Sequence, residues 1–255
     1  MKTRESLLST ILSCLLIALP GCASTDPVHQ IPAMTEKLQP EELVALTPEM
    51  LDEGDEMHIS SIFVPAGTSP TIDGTISPGE WDGAAVADFA DGSQLFMMQA
   101  GGYLYLGIRA IESGMIAGNV FIQQGDEIAI LHTSAALGTA VYRQSEDDWR
   151  QVQDFTWHCR NTSNSDAART ERAEFLTEEG WLAANSFMGT PNELEYQIEI
   201  PNQEFRMAAV YIKATPPYEE IPWPALLVDD CIRPTPGGLP LELWFSPEQW
   251  ARLEF

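Results

Sequence analysis

The chain has 255 residues, with 38 acidic against 13 basic side chains and a formal net charge of -25. A surface of that sign repels phosphate backbones, which proteins hold by pairing them with Lys and Arg, so nucleic-acid binding is excluded. The acids are scattered and not gathered in a tail, which reads as a solvated, self-repelling surface; calcium is the counter-ion it would take up, although no EF-hand loop pattern is present.

The chain opens with Lys2 and Arg4, an apolar run from Leu7 to Leu19, and the tetrapeptide Leu19-Pro20-Gly21-Cys22. That is the order of a secretory signal, and the run is shorter than the roughly 20 apolar residues needed to span hydrocarbon. The tetrapeptide resembles the bacterial lipobox, with a leucine three places before the cysteine and a small residue directly before it. The resemblance implies removal of residues 1–21, a diacylglyceryl group on Cys22, and a mature chain beginning there; ordinary signal cleavage that leaves Cys22 a thiol is the alternative. Two or more acyl chains anchor stably, each buried CH₂ contributing about 0.8 kcal/mol. Ala23 follows the cysteine where an aspartate would favour the inner membrane, so the expected place is the periplasmic cell envelope, lipid-anchored at the outer membrane.

Export gives every cysteine a place. Cys14 leaves with the signal, Cys22 takes lipid, and Cys159 and Cys231 are expected to pair in an oxidising compartment, which stabilises a loop of that length by roughly 4 kcal/mol. A metal or redox pair with the adjacent His158 is the alternative, but no CxxC or other zinc spacing accompanies it, and no residue is assigned to a metal.

Residues 22–60 carry Pro27, Pro32, Pro40 and Pro48 and few large aromatics, the composition of a tether. Single helical turns at Glu41–Leu46 and Glu49–Asp52 follow prolines but cannot carry a core. From residue 61 the hydrophobic period becomes that of strands. Gln94–Ile111 reads as a hairpin turning at Ala100-Gly101-Gly102, Asn119–Thr133 as one turning at Gln124-Gly125-Asp126, and Glu174–Phe187 as one turning at Glu178-Glu179-Gly180. Further strands are expected at Gly138–Arg143, Val152–His158, Glu193–Ile200, Arg206–Ala214 and Leu241–Phe245. A short C-terminal helix is expected after Ser246, with Pro247 and Glu248 in its first turn and Trp250 packing it down. Many short strands without a long amphipathic helix indicate a sandwich or barrel over residues 61–255.

Pro70-Thr71-Ile72-Asp73-Gly74, Glu80-Trp81-Asp82-Gly83-Ala84, Tyr103-Leu104-Tyr105-Leu106-Gly107-Ile108, Gly125-Asp126-Glu127-Ile128 and Glu195-Tyr196-Gln197-Ile198-Glu199-Ile200-Pro201 occur in this order. The series resembles the family 9 carbohydrate-binding modules and their DOMON-like relatives. The resemblance implies an all-β fold, an antiparallel two-sheet β-sandwich of jelly-roll-like form. Some members of that family bind sugar ends between aromatic side chains, often with structural calcium, and other relatives bind haem. The family's sugar-contacting residues do not map onto this chain, and Asp73, Gly74 and Trp81 are expected to be fold markers.

A sugar platform needs exposed aromatic faces, for which Trp149, Trp157, Trp181 and Trp223 are the candidates. Trp223, between Pro222 and Pro224 in a loop-like stretch, ranks first. A haem would take an axial ligand from Met97, Met98 or His132, although methionines at strand spacing are more often core filler. No GxSxG, HExxH or P-loop motif is present, and the many acids single out no pair for glycoside hydrolysis. The expected function is non-catalytic binding of a carbohydrate or another extracytoplasmic ligand. The alternative is a structural or assembly lipoprotein docking on a protein partner; a haem carrier and a glycosidase follow.

Overall fold

The structure is a computed structural model that describes residues 61–111, 114–146, 148–159, 165–186, 192–200, 205–224, 242–243 and 245–255. The signal, the tether, Cys22 and Cys231 lie outside these residues.

The described residues form a two-sheet β-sandwich. The smaller sheet runs β2 (Ala85–Asp88), β3 (Gln94–Ala100), β4 (Tyr103–Arg109), β10 (Glu193–Glu199), β9 (Trp181–Asn185). The larger runs β1 (Ile62–Phe63), β14 (Ala251–Glu254), β11 (Arg206–Lys213), β5 (Ile116–Gln124), β6 (Glu127–Thr133), β7 (Ala136–Ser145), β8 (Asp148–Cys159), β13 (Glu242–Leu243), and β12 (Glu219–Trp223) also pairs with β11. The strand pairs are antiparallel, apart from β1, which runs parallel to β14. Two expected hairpins are present where glycines supply the left-handed backbone their turns require: Gly101 and Gly102 (φ 58° and 87°) between β3 and β4, and Gly125 (φ 58°) between β5 and β6.

The third expected hairpin is not one. Glu174–Glu179 is the last part of a helix, α1 (Asp166–Glu179), and only Trp181–Asn185 is a strand. Ser165 caps the helix by accepting from the Ala168 N–H at 3.2 Å, and Gly180 (φ 72°) ends it with its own N–H on the Leu176 carbonyl at 2.9 Å. Its buried side chains are Ala168 and Phe175, so it carries almost no apolar stripe to betray it. The expected C-terminal helix is likewise reduced to a 3₁₀ turn, Pro247–Gln249; residues 251–254 go on as β14 because alternate side chains, Ala251 and Leu253, enter the core. Trp250 does pack down, its ring 5.9 Å from those of Phe121 and Phe245.

Three apolar layers result. Between the sheets lie residues such as Leu106, Val120, Leu194 and Met207. On the outer face of the larger sheet Phe121, Ile130, Tyr142 and Trp149 are covered by Phe245 and Trp250. On the outer face of the smaller sheet Ile76, Trp81, Met98 and Tyr105 form a third cluster.

That third layer and the strands beneath it gather the resemblance motifs other than Gly125-Asp126-Glu127-Ile128, which lies at the β5–β6 turn of the larger sheet. Glu195 on β10 is fully buried. Its Oε2 accepts the backbone N–H groups of Asp73 (3.0 Å), Gly74 (2.8 Å) and Thr75 (3.1 Å), and its Oε1 accepts the Trp81 indole N–H (3.1 Å). The Trp81 ring lies against Gly107, where a Cβ would stand 3.2 Å from it. Glu193 accepts from Ile76 N and from Arg109, whose Nη2 returns to the Ile76 carbonyl. Asp73, Gly74 and Trp81 are thus fold markers, as expected, strapping residues 71–84 to the smaller sheet.

Burial pushes the Glu195 carboxyl up to about 7, against the lowering effect of the hydrogen bonds from Gly74, Asp73 and Trp81. The folded protein therefore holds this proton more tightly than the unfolded chain, whose glutamate titrates near 4.5. The resulting stability is complete below about pH 4.5 and is lost as pH rises through 7. Glu195→Gln should cost about 1–3 kcal/mol by leaving strap N–H groups against an amide, measured by urea unfolding. The wild-type advantage over this variant should change between pH 4.5 and 7.5 in that sense, and a flat difference would refute the assignment.

Candidate ligand-binding face

One row of residues crosses the outer face of the larger sheet: Val210 on β11, Asn119 on β5, His132 on β6, Gly138 on β7 and Trp157 on β8 stand opposite one another in register. Side chains directly across from each other in antiparallel strands touch, and here the missing side chain is as important as those present. A Cβ on Gly138 would stand 2.7 Å from Trp157 Cε3 and 3.1 Å from Phe155 Cδ1. The glycine therefore lets the Trp157 indole lie down on the sheet.

A β-bulge shapes the same strand. Between the pairs Thr139–Thr156 and Val141–Gln153, Asp154 and Phe155 together oppose Ala140. Phe155 and Trp157 share a face, with ring centroids 4.6 Å apart and planes inclined by 33°. Both meet the His132 ring edge-on, at 6.0 Å from Phe155 and 5.4 Å from Trp157. Trp157 is 51% exposed and Phe155 is half-buried.

Beneath the two rings lies a buried polar pair, Asn119 and His132, with Asn119 Oδ1 2.7 Å from His132 Nδ1. A carbonyl oxygen accepts, so Nδ1 carries the proton and Nε2 keeps its lone pair. Burial lowers the His132 pKa to about 4, so the imidazole is neutral at physiological pH. Further along β8, Gln151 Nε2 is 3.4 Å from Tyr142 Oη and 3.5 Å from Asp154 Oδ1, placing amide, phenol and carboxylate beside the aromatic pair.

Of the four candidate tryptophans, Trp157 alone presents a face. Trp149 is 5% exposed under Phe245. Trp181 is 1% exposed between the sheets, its indole N–H on Thr139 Oγ1 at 2.9 Å. Trp223, ranked first from its flanking prolines, is 6% exposed on β12 opposite Ala209 and fills the core. The four do not make a common platform: the strand pleat sends Trp181 and Trp223 inward and Trp149 under the C-terminal segment. Phe155, Asn119 and Gly138 were missed; the available signal was the glycine in the strand expected at Gly138–Arg143, since glycine in a strand marks a close approach, while its pairing with Trp157 comes from the register. The haem candidates also separate, Met97 lying between the sheets, Met98 under the strap, and His132 on the opposite outer face. Cys159 ends β8 opposite Ala136, while His158 faces α1, its ring 4.9 Å from Phe175. Among the described residues no three His, Cys, Asp or Glu side chains group as a metal site.

Gly138→Ala tests the platform without touching its rings. Because Trp157 is half exposed and can lift, the substitution should change stability by less than about 1 kcal/mol while shifting the emission and quenching of the one exposed tryptophan among the described residues. Unchanged fluorescence would contradict the geometry.

The chain matches no family model and no curated protein. Among solved structures it is similar to a "putative carbohydrate-binding protein" from Bacteroides uniformis, with a TM-score of 0.40 and 12% identity over 76% of this chain and 96% of that one.

Proposed function

We propose that this protein is a non-catalytic binding module of the bacterial cell envelope, lipid-anchored through Cys22, that takes a carbohydrate on the outer face of its larger sheet. The supporting observation is the half-exposed Trp157 indole laid flat over Gly138 beside Phe155. A sugar ring has an apolar C–H face and a polar rim. An aromatic surface held in place in the free protein receives that face without a large ordering cost, and the neighbouring Gln151 and Asp154 offer a donor and an acceptor to its hydroxyls. The same reading includes a Cys159–Cys231 disulfide formed after export.

Neutral oligosaccharides (cellohexaose, xylohexaose, maltohexaose) should be titrated while tryptophan emission and melting temperature are followed, since a ligand that binds the folded state raises the melting temperature by mass action. At least one should give a saturable shift. Trp157→Ala should abolish it with a stability change of about 1 kcal/mol or less, whereas Trp223→Ala should lower stability by about 3–5 kcal/mol. No response to any sugar would refute carbohydrate binding for this panel and direct attention to a protein partner.

The pH dependence follows from His132. Its folded-state pKa lies below the ordinary 6.5, so the stability it contributes is present above that value and is lost as pH falls toward about 4. Sugar affinity should therefore be flat from pH 5.5 to 8 and fall near pH 4. A midpoint near 6.5 would show that His132 is not the buried neutral group described.

A further inference from the structure

A second opening lies on the other face of the same strands. At the β5–β6 end of the sandwich a cavity of about 240 Å³ is lined by Ile122, Ala129, Leu131, Trp181 and Ile198, with Gln124, Glu179, Gly180 and Glu199 completing its wall. It shares Ile122, Gln124 and Ala129 with an adjoining space of about 360 Å³ bounded by Val141 and the β5–β6 turn. Ile122, Ala129 and Val141 belong to the inner face but remain partly exposed here. The floor is aliphatic, and the largely buried Trp181 belongs to the lining.

Two carboxylates stand beside it. Glu179 is held in place: the Trp181 indole donates to Thr139 Oγ1 (2.9 Å), and that hydroxyl donates to Glu179 Oε2 (3.0 Å). Trp181 thus belongs to the lining and orients, through Thr139, an acid of the same lining. Glu199 is exposed, and its Oε2 lies 3.5 Å from where a Cβ on Gly180 would be. At the far rim the Glu127 carboxylate is taken by Arg143, and Glu179 Oε1 lies 3.9 Å from His158 Nε2, so among the described residues Glu199 is the carboxylate on this side of the cavity that has no ion pair.

From this combination we propose that the cavity is a binding site for a small organic cation with an apolar tail, such as a primary alkylammonium. The tail lies over Ile122 and Ala129 against Trp181, and the ammonium group meets Glu179 and Glu199. An apolar pocket with a few oriented polar groups is the usual form of a small-molecule site, and the overall charge of -25 draws cations toward it. The site does not depend on Trp157, which projects from the opposite face of the sheet.

Calorimetric titration of the purified protein with n-butylammonium, n-hexylammonium and hexanoate tests this proposal. Hexylammonium should bind saturably, with affinity rising about two- to fourfold per methylene from the butyl homologue, and hexanoate should not bind. Ala129→Phe, which fills the floor, should abolish binding. Glu199→Lys, at an exposed position with the melting temperature as control, should weaken hexylammonium at least tenfold. Trp157→Ala should leave the titration unchanged. Equal binding of hexanoate and hexylammonium, no binding of either, or full retention in Ala129→Phe or Glu199→Lys would overturn the site, and loss in Trp157→Ala would overturn its independence from the sugar face.

Discussion

The interaction on which the architecture turns is that of the Glu195 carboxyl group, fully buried and surrounded by the N–H groups of Asp73, Gly74, Thr75 and Trp81. A buried carboxyl group without hydrogen-bond partners would be expensive, and four donors without an acceptor would be equally so; each side makes the other tenable. The pairing binds a strap that has almost no regular structure to the outer face of the smaller sheet, and Ile76 and Trp81 come down on Met98 and Tyr105 as a result. With that face covered, the outer face of the larger sheet and the rim between the sheets are left to meet a ligand.

Those two surfaces are connected through neighbouring residues of one strand. Gly138 points outward and makes room for Trp157; Thr139, next in β7, points inward and links Trp181 to Glu179. The alternation of the strand places an aromatic platform on one side of the sheet and an oriented acid on the other. They differ in chemistry as they differ in side: the outer row has a neutral imidazole under two aromatic rings, while the inner cavity pairs aliphatic side chains with carboxylates. In a chain this acidic, the first suits a neutral ligand and the second a cationic one.

Much of the sandwich was legible because its signals are local. A glycine pair at Gly101-Gly102 between two apolar runs, and Gly125 between Gln124 and Asp126, state their turns outright. The strand expected at Glu193–Ile200 is present as β10, and Asp73, Gly74 and Trp81 hold the fold together as expected, but nothing in the sequence showed that one face of the smaller sheet is strapped or that Glu195 gathers those residues. The helix Asp166–Glu179 was hidden because it buries only Ala168 and Phe175; its Ser165 and Gly180 caps were better evidence than its weak apolar period. The ligand face was legible only in part. Tryptophan identity does not reveal whether a ring lies in a core or over it, and Trp149, Trp181 and Trp223 are filler. Trp157 differs through its partner across the sheet, and that partner depends on the β7–β8 register and its bulge, which no local pattern encodes.

The most direct test of the outer-face site is a ¹H–¹⁵N spectrum of the indole N–H groups of the seven tryptophans, assigned by single substitutions and recorded while neutral oligosaccharides are added. The expected result is a saturable displacement of the Trp157 signal, with those of Trp81, Trp149, Trp181, Trp223 and Trp250 left in place because their rings are buried. Displacement of one of these instead, or a Trp157 signal unmoved by every sugar, would contradict carbohydrate binding on that face.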